Sequence, residues 1–348
     1  MKILALGIMS GTSLDGIDLA LCRFSESEDK WSYEIVDSET IAYPSAWIDK
    51  LKEAPNLKVE EFLMLNDEYG RFIGELVNDF LRAKAIPQLI ASHGHTIFHQ
   101  PEKKFTYQLG NGASISATTR ITTVSDFRSF DVALGGQGAP LVPIGDQLLF
   151  SEFDYCLNIG GFANISFDQD GTRIAFDVCP ANIVLNELAQ KKGHIYDKDG
   201  RLGASGIVNE PLLQKLNNFD FYHQKWPKSL GREWTDTLIM PLLSASGLSI
   251  EDQAATMYEH IAFQISNVIG NSGKLLTTGG GSKNLYLIDR LKQKTSCEVV
   301  LPEEKLIDFK EALIFAFLGV LAFNGRTNIL ASVTGSTQDH IGGIIYNI

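Results

Sequence analysis

One layout, a glycine-bent hairpin followed by alternating helices and strands, occurs twice along this chain, and that repetition restricts the fold more than any other feature. Residues 2–9 form a continuous apolar run ending in a Gly/Ser/Thr turn, the pattern of a strand buried on both faces. Strands at 17–24 and 31–41 follow after short turns, so the opening reads as an antiparallel meander. Phe62, Leu65, Tyr69, Phe72, Ile73, Leu76 and Phe80 then recur at helical spacing. A strand at 89–92, a helix at 112–119 and a strand at 121–124 complete the first copy. The second copy opens with strands at 155–159, 163–167 and 172–177, and a helix begins near Asn182. An amphipathic helix at 252–269, a strand at 274–278, a helix at 283–294, a strand at 297–301 and a last helix at about 310–324 follow. Two copies of meander-then-alternation predict two similar α/β domains, and cofactor clefts form between such domains. The expected division is an amino-terminal lobe of residues 1–131 with 325–348 and a carboxy-terminal lobe of 132–324.

Length and charge narrow the function classes. A chain of 348 residues exceeds one ordinary core, in keeping with two domains. Its net charge of −12, with no run of Lys and Arg, excludes a protein that tracks a nucleic-acid backbone. Phosphorylated small molecules stay open to it, because backbone N–H groups hold phosphate without basic side chains. Cys22, Cys156, Cys179 and Cys297 lie far apart with no C-x-x-C pair, as expected of reduced thiols in a cytoplasmic protein. The opening run is short, carries one lysine and leads into a polar turn, so it reads as a buried strand and not a secretion signal. The apolar run at 312–323 is too short to span a bilayer and reads as a core helix; no membrane partner is expected.

Three glycine clusters carry the candidate chemistry. Gly11, Thr12, Ser13, Leu14, Asp15, Gly16, Ile17 and Asp18 lie between the first two strands. There the two glycines let backbone approach a ligand, the hydroxyls can donate to phosphate oxygens, and Asp15 or Asp18 can hold a magnesium-bound water. The plain alternative is a turn rich in turn-forming residues. Asn158, Gly160 and Gly161 occupy the matching hairpin of the second copy, so two hairpins from two domains could clamp a triphosphate. Gly279, Gly280 and Gly281 lead from a strand towards Asn284 and a helix, suiting a nucleotide laid against a helix N-terminus. The chain has neither a P-loop nor a convincing G-x-G-x-x-G fingerprint.

Several polar residues at strand ends complete the candidate site. Asp177 ends an apolar strand before a proline turn, where it can serve as a general base or cap the next helix. Asp126 and Arg128 end another strand; the arginine can fork a substrate carboxylate, or the two can pair with each other. His93, His95 and His99 form H-x-H-x-x-x-H, a spacing open to a metal, but no thiolate or acidic cluster completes such a site. Hydrogen bonding is the expected role, and no metal-ligand set is assigned. Glu311 opens the last helix, facing either the cleft or solvent.

Taken together these segments resemble the anhydro-N-acetylmuramic acid kinase family, nearly end to end. The resemblance is carried by MSGTSLDGID near the start, SHGHTIFHQP at 92–101, QLGNGASIS at 108–116 and SDFRSFDVALGGQGAPLVP at 125–143. It continues in NIGGFANIS at 158–166, TGGGSKN at 278–284, KEALIFAFLG at 310–319 and SVTGS at 332–336. It implies a two-domain actin-like fold, a duplicated ribonuclease H-like architecture with ATP between the domains. It also implies a kinase using ATP and Mg2+, on a sugar whose 1,6-anhydro ring is opened by water while O6 takes the γ-phosphoryl group, in cytoplasmic cell-wall recycling. The ATP-binding hairpin of the family maps onto Gly11 to Asp18, its catalytic aspartate onto Asp177, and Ser92, His93, Asp126, Arg128 and Glu311 become substrate-binding candidates. A homodimer is implied as well. Where the family reads F-D-T-G-P-G-N, this chain has F-D-V-C-P-A-N, which would narrow the loop if glycine backbone approached the sugar there. A kinase for another anhydrosugar such as levoglucosan, and a non-catalytic actin-like nucleotide-binding protein, are the alternatives.

Overall fold

The computed structural model describes residues 1–11, 14–28 and 30–348. It divides into two compact units, residues 1–149 with 309–348, and residues 150–308. The expected boundaries at 131/132 and 324/325 lie elsewhere. Residues 143–149 pack with the first unit, where Ile314 presses on Gly145 and Lys310 forms a 2.7 Å buried ion pair with Asp146.

The first unit is built on a mixed sheet. Its strands are β1 (Lys2–Ser10), β2 (Ile17–Ser27), β3 (Lys30–Ile41), β4 (Leu89–Gln100), β5 (Phe105–Leu109) and β6 (Thr122–Ser125), with a final strand, Ile344–Tyr346, at one edge. From that edge the order runs through β6, β4, β1 and β2 to β3; β1, β4 and β6 are parallel, while β2 and β3 return antiparallel. Helix α1 (Val59–Leu81) repeats apolar residues every three or four positions and buries Tyr69, Ile73 and Val77. These side chains share a core with Leu6 and Ile8 of β1. Helix α2 (Gly112–Thr119) starts at Asn111, whose side chain accepts from the Ala113 N–H.

The second unit repeats this plan. Its strands are β7 (Tyr155–Ile159), β8 (Phe162–Gln169), β9 (Thr172–Pro180), β10 (Lys274–Thr278) and β11 (Glu298–Val300), in the order β11-β10-β7-β8-β9. Again three strands form an antiparallel meander and two more add in parallel beside the first. Helices α3 (Asn182–Gln190), α4 (Ile250–Val268) and α5 (Leu285–Lys294) contribute to its core, and α6 (Glu304–Phe323) runs from this unit into the first. The last strand of the chain, Ile344–Tyr346, is β12.

With one five-strand order in both units, β6-β4-β1-β2-β3 and β11-β10-β7-β8-β9, to which the first adds β5 and an edge strand, the chain has the two-domain α/β architecture of the actin-like fold. Three local differences from the sequence expectations have physical causes. The strand at 89–92 continues to Gln100 past Gly94, whose φ of +74° accommodates the irregularity, and pairs with β5. The last helix begins at Glu304, six residues ahead of its expected start, because its first two turns mix exposed charges with Leu306 and Ile307 and so lack the continuous apolar run that marks the rest. β9 continues to Pro180, so Asp177 lies inside a strand and does not cap a helix.

Candidate active site

Within the first unit, the end of β1 is pinned by a cluster of neutral hydrogen bonds. Ser10 Oγ lies 2.6 Å from the Tyr43 hydroxyl and 2.9 Å from His95 Nδ1, and Tyr69 donates to it at 3.1 Å. Burial raises both phenols above their ordinary pKa and pushes His95 down to about 4, so all three side chains stay uncharged at neutral pH. The turn that follows holds several of the phosphate candidates. Thr12 and Ser13 lie outside the described residues. Leu14 adopts φ +60°, a left-handed conformation unusual for a bulky side chain. Gly16 packs on β3 so closely that a Cβ would fall 2.8 Å from the Ile41 carbonyl oxygen. Asp18, on β2, accepts from the Thr40 hydroxyl at 2.5 Å, and Ile17 is buried.

The end of β6 positions a cation. His93 bonds through Nδ1 to the Gly94 carbonyl at 2.8 Å, which leaves Nε2 to accept from Arg128 Nε at 3.0 Å and Nη2 at 2.8 Å. Burial, then the Arg128 charge, holds His93 well below its ordinary pKa. Arg128 also donates to the Gly138 carbonyl, and burial pushes its pKa down to about 10, against the pull of Glu311 and Asp131. Among the described residues no carboxylate forms an ion pair with Arg128, so the internal Asp126–Arg128 pair does not form. Asp126 instead takes φ +56° and accepts from the Ser129 N–H at 3.2 Å. Fully buried Asp131, which lies in the 125–143 segment but is not among its expected site residues, braces the same loop, accepting from the Gly138 N–H at 2.6 Å and the Thr334 hydroxyl at 2.7 Å.

Glu311 reaches solvent, yet protein crowds it enough that desolvation raises its carboxyl above the usual range. Arg128 and Lys310 oppose that rise and Asp18 adds to it. Asp18, Glu311 and Arg128 therefore share one electrostatic neighbourhood. The three histidines of the H-x-H-x-x-x-H segment have separate protein partners, since His99 bonds Thr106 Oγ1 at 3.1 Å. A polar cavity of about 210 Å3 opens beyond the carboxyl end of β6 and beside the middle of β4, where its pairing with β6 stops, lined by Ser92, His93, Gln108 and Asp126 among others. Ligands favour such a position in open α/β sheets.

The second unit brings two glycine clusters together. Gly279 has φ +81°, and a Cβ there would fall 2.6 Å from Asn158 Oδ1 and 2.8 Å from the Ile159 carbonyl oxygen. Gly281 packs on Ile159, while Gly280 has open space around it. The β7–β8 turn accepts from the start of α3, through Ala181 N–H to Gly161 at 2.8 Å and Asn182 N–H to Gly160 at 3.2 Å. Asn284 caps α5, accepting from Leu287 N–H at 3.1 Å, and its amide donates to Tyr258 at 2.7 Å. Its side chain is thus already engaged within the protein.

Asp177 sits opposite Asn164 on β8. Its Oδ2 accepts from the Leu230 N–H at 2.8 Å, and its own N–H donates to the Lys228 carbonyl at 3.2 Å, so residues 228–230 cover the edge of β9. Burial raises its carboxyl pKa, and the Leu230 hydrogen bond opposes this. A carboxylate held by one backbone donor while resisting full solvation is suited to accept a proton. Cys179 and Ala181, where the family pattern has glycine, are both completely buried in the core of this unit. Desolvation, then the Asp177 charge, raises the Cys179 thiol far above its ordinary range, so it is neither nucleophile nor base.

Comparisons with known proteins bear on these groups. The family model described as anhydro-N-acetylmuramic acid kinase matches residues 3–348. A protein named anhydro-N-acetylmuramic acid kinase from Pseudomonas savastanoi pv. phaseolicola is 35% identical over 373 residues, covering 99% of this chain and 100% of its own. One of the same name from Vibrio vulnificus is 35% identical over 372 residues, covering 99% of each chain. Solved structures resemble the chain more distantly. The activator of 2-hydroxyisocaproyl-CoA dehydratase from Clostridium difficile, with bound ADPNP, is 14% identical with a TM-score of 0.43, covering 92% of this chain and 97% of that one.

Proposed function

Because this chain belongs to the anhydro-N-acetylmuramic acid kinase family, we propose that it couples hydrolytic opening of a 1,6-anhydro amino sugar to phosphorylation of the same molecule by ATP. Family membership makes it a phosphotransferase. The finer reaction rests on one observation, the half-buried Asp177 carboxylate with its raised pKa and single backbone donor.

In the proposed step, Asp177 takes a proton from water as the water oxygen bonds to C1 of the sugar. The C1–O6 bond breaks with its electron pair on O6. O6 then attacks the γ-phosphorus of ATP and ADP leaves, giving N-acetylmuramic acid 6-phosphate, and the proton on Asp177 passes to solvent. Backbone donors around Gly11 to Asp18, Asn158 to Gly161 and Gly279 to Gly281 are the proposed phosphate and nucleotide ligands. Asn284 contributes through its cap of α5, Arg128 is assigned to the lactyl carboxylate, and Ser92, His93, Asp126 and Glu311 to the rest of the sugar.

Magnesium fits the residues present. Among the described residues no cluster of three or more His, Cys, Asp or Glu could hold a metal ion. Mg2+ instead takes one or two carboxylates, several waters and substrate phosphates, a donor set that Asp15 and Asp18 can complete. When bound, it would neutralise charge on the transferring phosphoryl group.

Among the described residues no helix is long and apolar enough to cross a membrane. We assign the reaction to cell-wall recycling in the cytoplasm, and the implied homodimer is open to a sedimentation measurement. The reaction itself is tested by incubating the protein with ATP, the anhydro sugar and heavy-oxygen water, followed by mass spectrometry. Heavy oxygen at C1 with phosphate on O6 is expected. Labelled inorganic phosphate beside an unopened sugar would overturn the coupled reaction.

A further inference from the structure

Asp177 lies where its own sheet fastens it weakly. It is on β9, the last strand of that sheet, and the pairing with β8 slips directly after it. Asn164 faces Asp177 and Ala163 faces Cys179, which leaves Val178 as an extra residue. A bulge of this kind interrupts the ladder and re-aims side chains, so β8 alone does not fix the carboxylate. The open side of β9 is covered instead by backbone. The Leu230 N–H donates to Asp177 Oδ2 at 2.8 Å, and the Lys228 carbonyl accepts from the Asp177 N–H at 3.2 Å.

The covering segment has no helix or strand of its own over residues 224–231. Side chains fasten it. Lys228 Nζ donates to the Phe221 carbonyl at 3.0 Å, and lies 4.6 Å from the Phe221 ring centre and 5.5 Å from that of Phe176. Trp226 stacks on Phe176 with ring centres 6.0 Å apart and planes 12° from parallel. Both phenylalanines are buried, and Phe176 immediately precedes Asp177, so an anchor stands beside the carboxylate. An ammonium set over aromatic faces and bonded to a carbonyl restrains its own backbone more than an apolar chain of the same length would.

We propose that residues 226–230 form a strap that holds the Leu230 N–H against Asp177, and that Lys228 is the positioning residue that fastens it. The proposal rests on the reading of Asp177 as the base and adds what sets its basicity. Burial raises the Asp177 carboxyl and the Leu230 N–H opposes that rise, so loosening the strap makes the carboxylate bind its proton more tightly. The titratable groups coupled to this stretch of β9 are Cys179 on the same strand, Lys228 in the strap and, beside Cys179, Tyr222. Burial pushes the Cys179 thiol and the Tyr222 phenol far up, so neither ionises near neutral pH, and it draws the Lys228 ammonium down.

The test is the acid limb of kcat/KM against pH, read beside the Asp177 carboxyl titration by carbon-13 NMR. Lys228→Met fills the same space without donor or charge. It should move both midpoints up by about half to one pH unit, a shift that a merely structural lysine would not cause. Replacing the Leu230 amide by an ester deletes the N–H alone and should give the same shift. In the ester protein Lys228→Met should then add nothing. Should Lys228→Met not fold, Trp226→Leu loosens the strap from its other anchor and takes the same test. Midpoints within about 0.2 unit of wild type in the ester and lysine variants overturn the strap. A full further shift from Lys228→Met in the ester protein overturns it too, since the lysine would then act through its charge. If wild type turns over no anhydro sugar at any pH, the reading of the reaction falls, while the carboxyl titration still decides the strap.

Discussion

Asp177 is held in its strand by backbone contacts that an amide side chain can keep, which makes its charge testable separately from its place. In Asp177→Asn the Leu230 N–H still finds an oxygen acceptor, but no group remains to take a proton from water. Turnover should fall by about 10²–10⁴, the usual worth of a general base, while ATP binding survives. The stability sign runs the other way. A carboxyl whose folded pKa is raised withdraws stability as pH climbs above its unfolded value of about 3.9, so the asparagine variant should melt at or above wild type at pH 7. Turnover within twofold of wild type would remove Asp177 from its assigned role. Asp177, Arg128 and the glycine clusters were legible in the sequence because polar and flexible residues at the ends of apolar strands are locally conspicuous. The roles of Asp131, Tyr43 and Tyr69 were not. Their meaning comes from partners far away in the chain, such as Thr334 for Asp131 and Ser10 for Tyr69.

Elements with a strong period declare their limits in the sequence. Helix α2 and strands β7 and β10 have their expected limits, and the seven apolar positions announcing α1 all fall within it. Weaker patterns hid β5 and the continuation of β4, where histidine, threonine and glycine interrupt the apolar alternation. The helical stretches between α3 and α4 leave no clear period in the sequence because they are short and joined by polar turns. The packing of α6 on residues 143–149 was equally invisible, since it depends on one buried charge finding another. Lys310 and Asp146 are each 5% exposed, and removing one partner strands a charge away from water. Lys310→Met should therefore destabilise by about 3–5 kcal/mol in urea unfolding, and Lys310→Met with Asp146→Leu by much less. A loss below about 1 kcal/mol for the single variant would show that water or another group already solvates Asp146.

At the scale of the whole molecule, buried neutral histidines tie stability to pH in both units. Burial holds His95 at about 4 and His260 at about 3, with His93 also well below its ordinary value. The unfolded chain takes up protons first, from about pH 6.5 downward, so stability present at neutral pH drains away below that point. Each group contributes about 1.4 kcal/mol per pH unit between its unfolded and folded values. Urea midpoints should fall between pH 7 and pH 5; a flat midpoint over that range counts against the buried neutral state.

The split of the first unit into two stretches of chain has a consequence for biosynthesis. Residues 150–308 are contiguous and leave the ribosome as one block, whereas the first sheet lacks β12, the Thr334 hydroxyl that Asp131 binds, and most of α6. Residues 1–149 must therefore stand incomplete, their β6 edge unpaired, while residues 150–308 are translated. Nascent chains are most exposed to unwanted strand pairing at such open edges. A holding chaperone would accordingly find its opening at the β6 edge, in the interval before residues 344–346 are made.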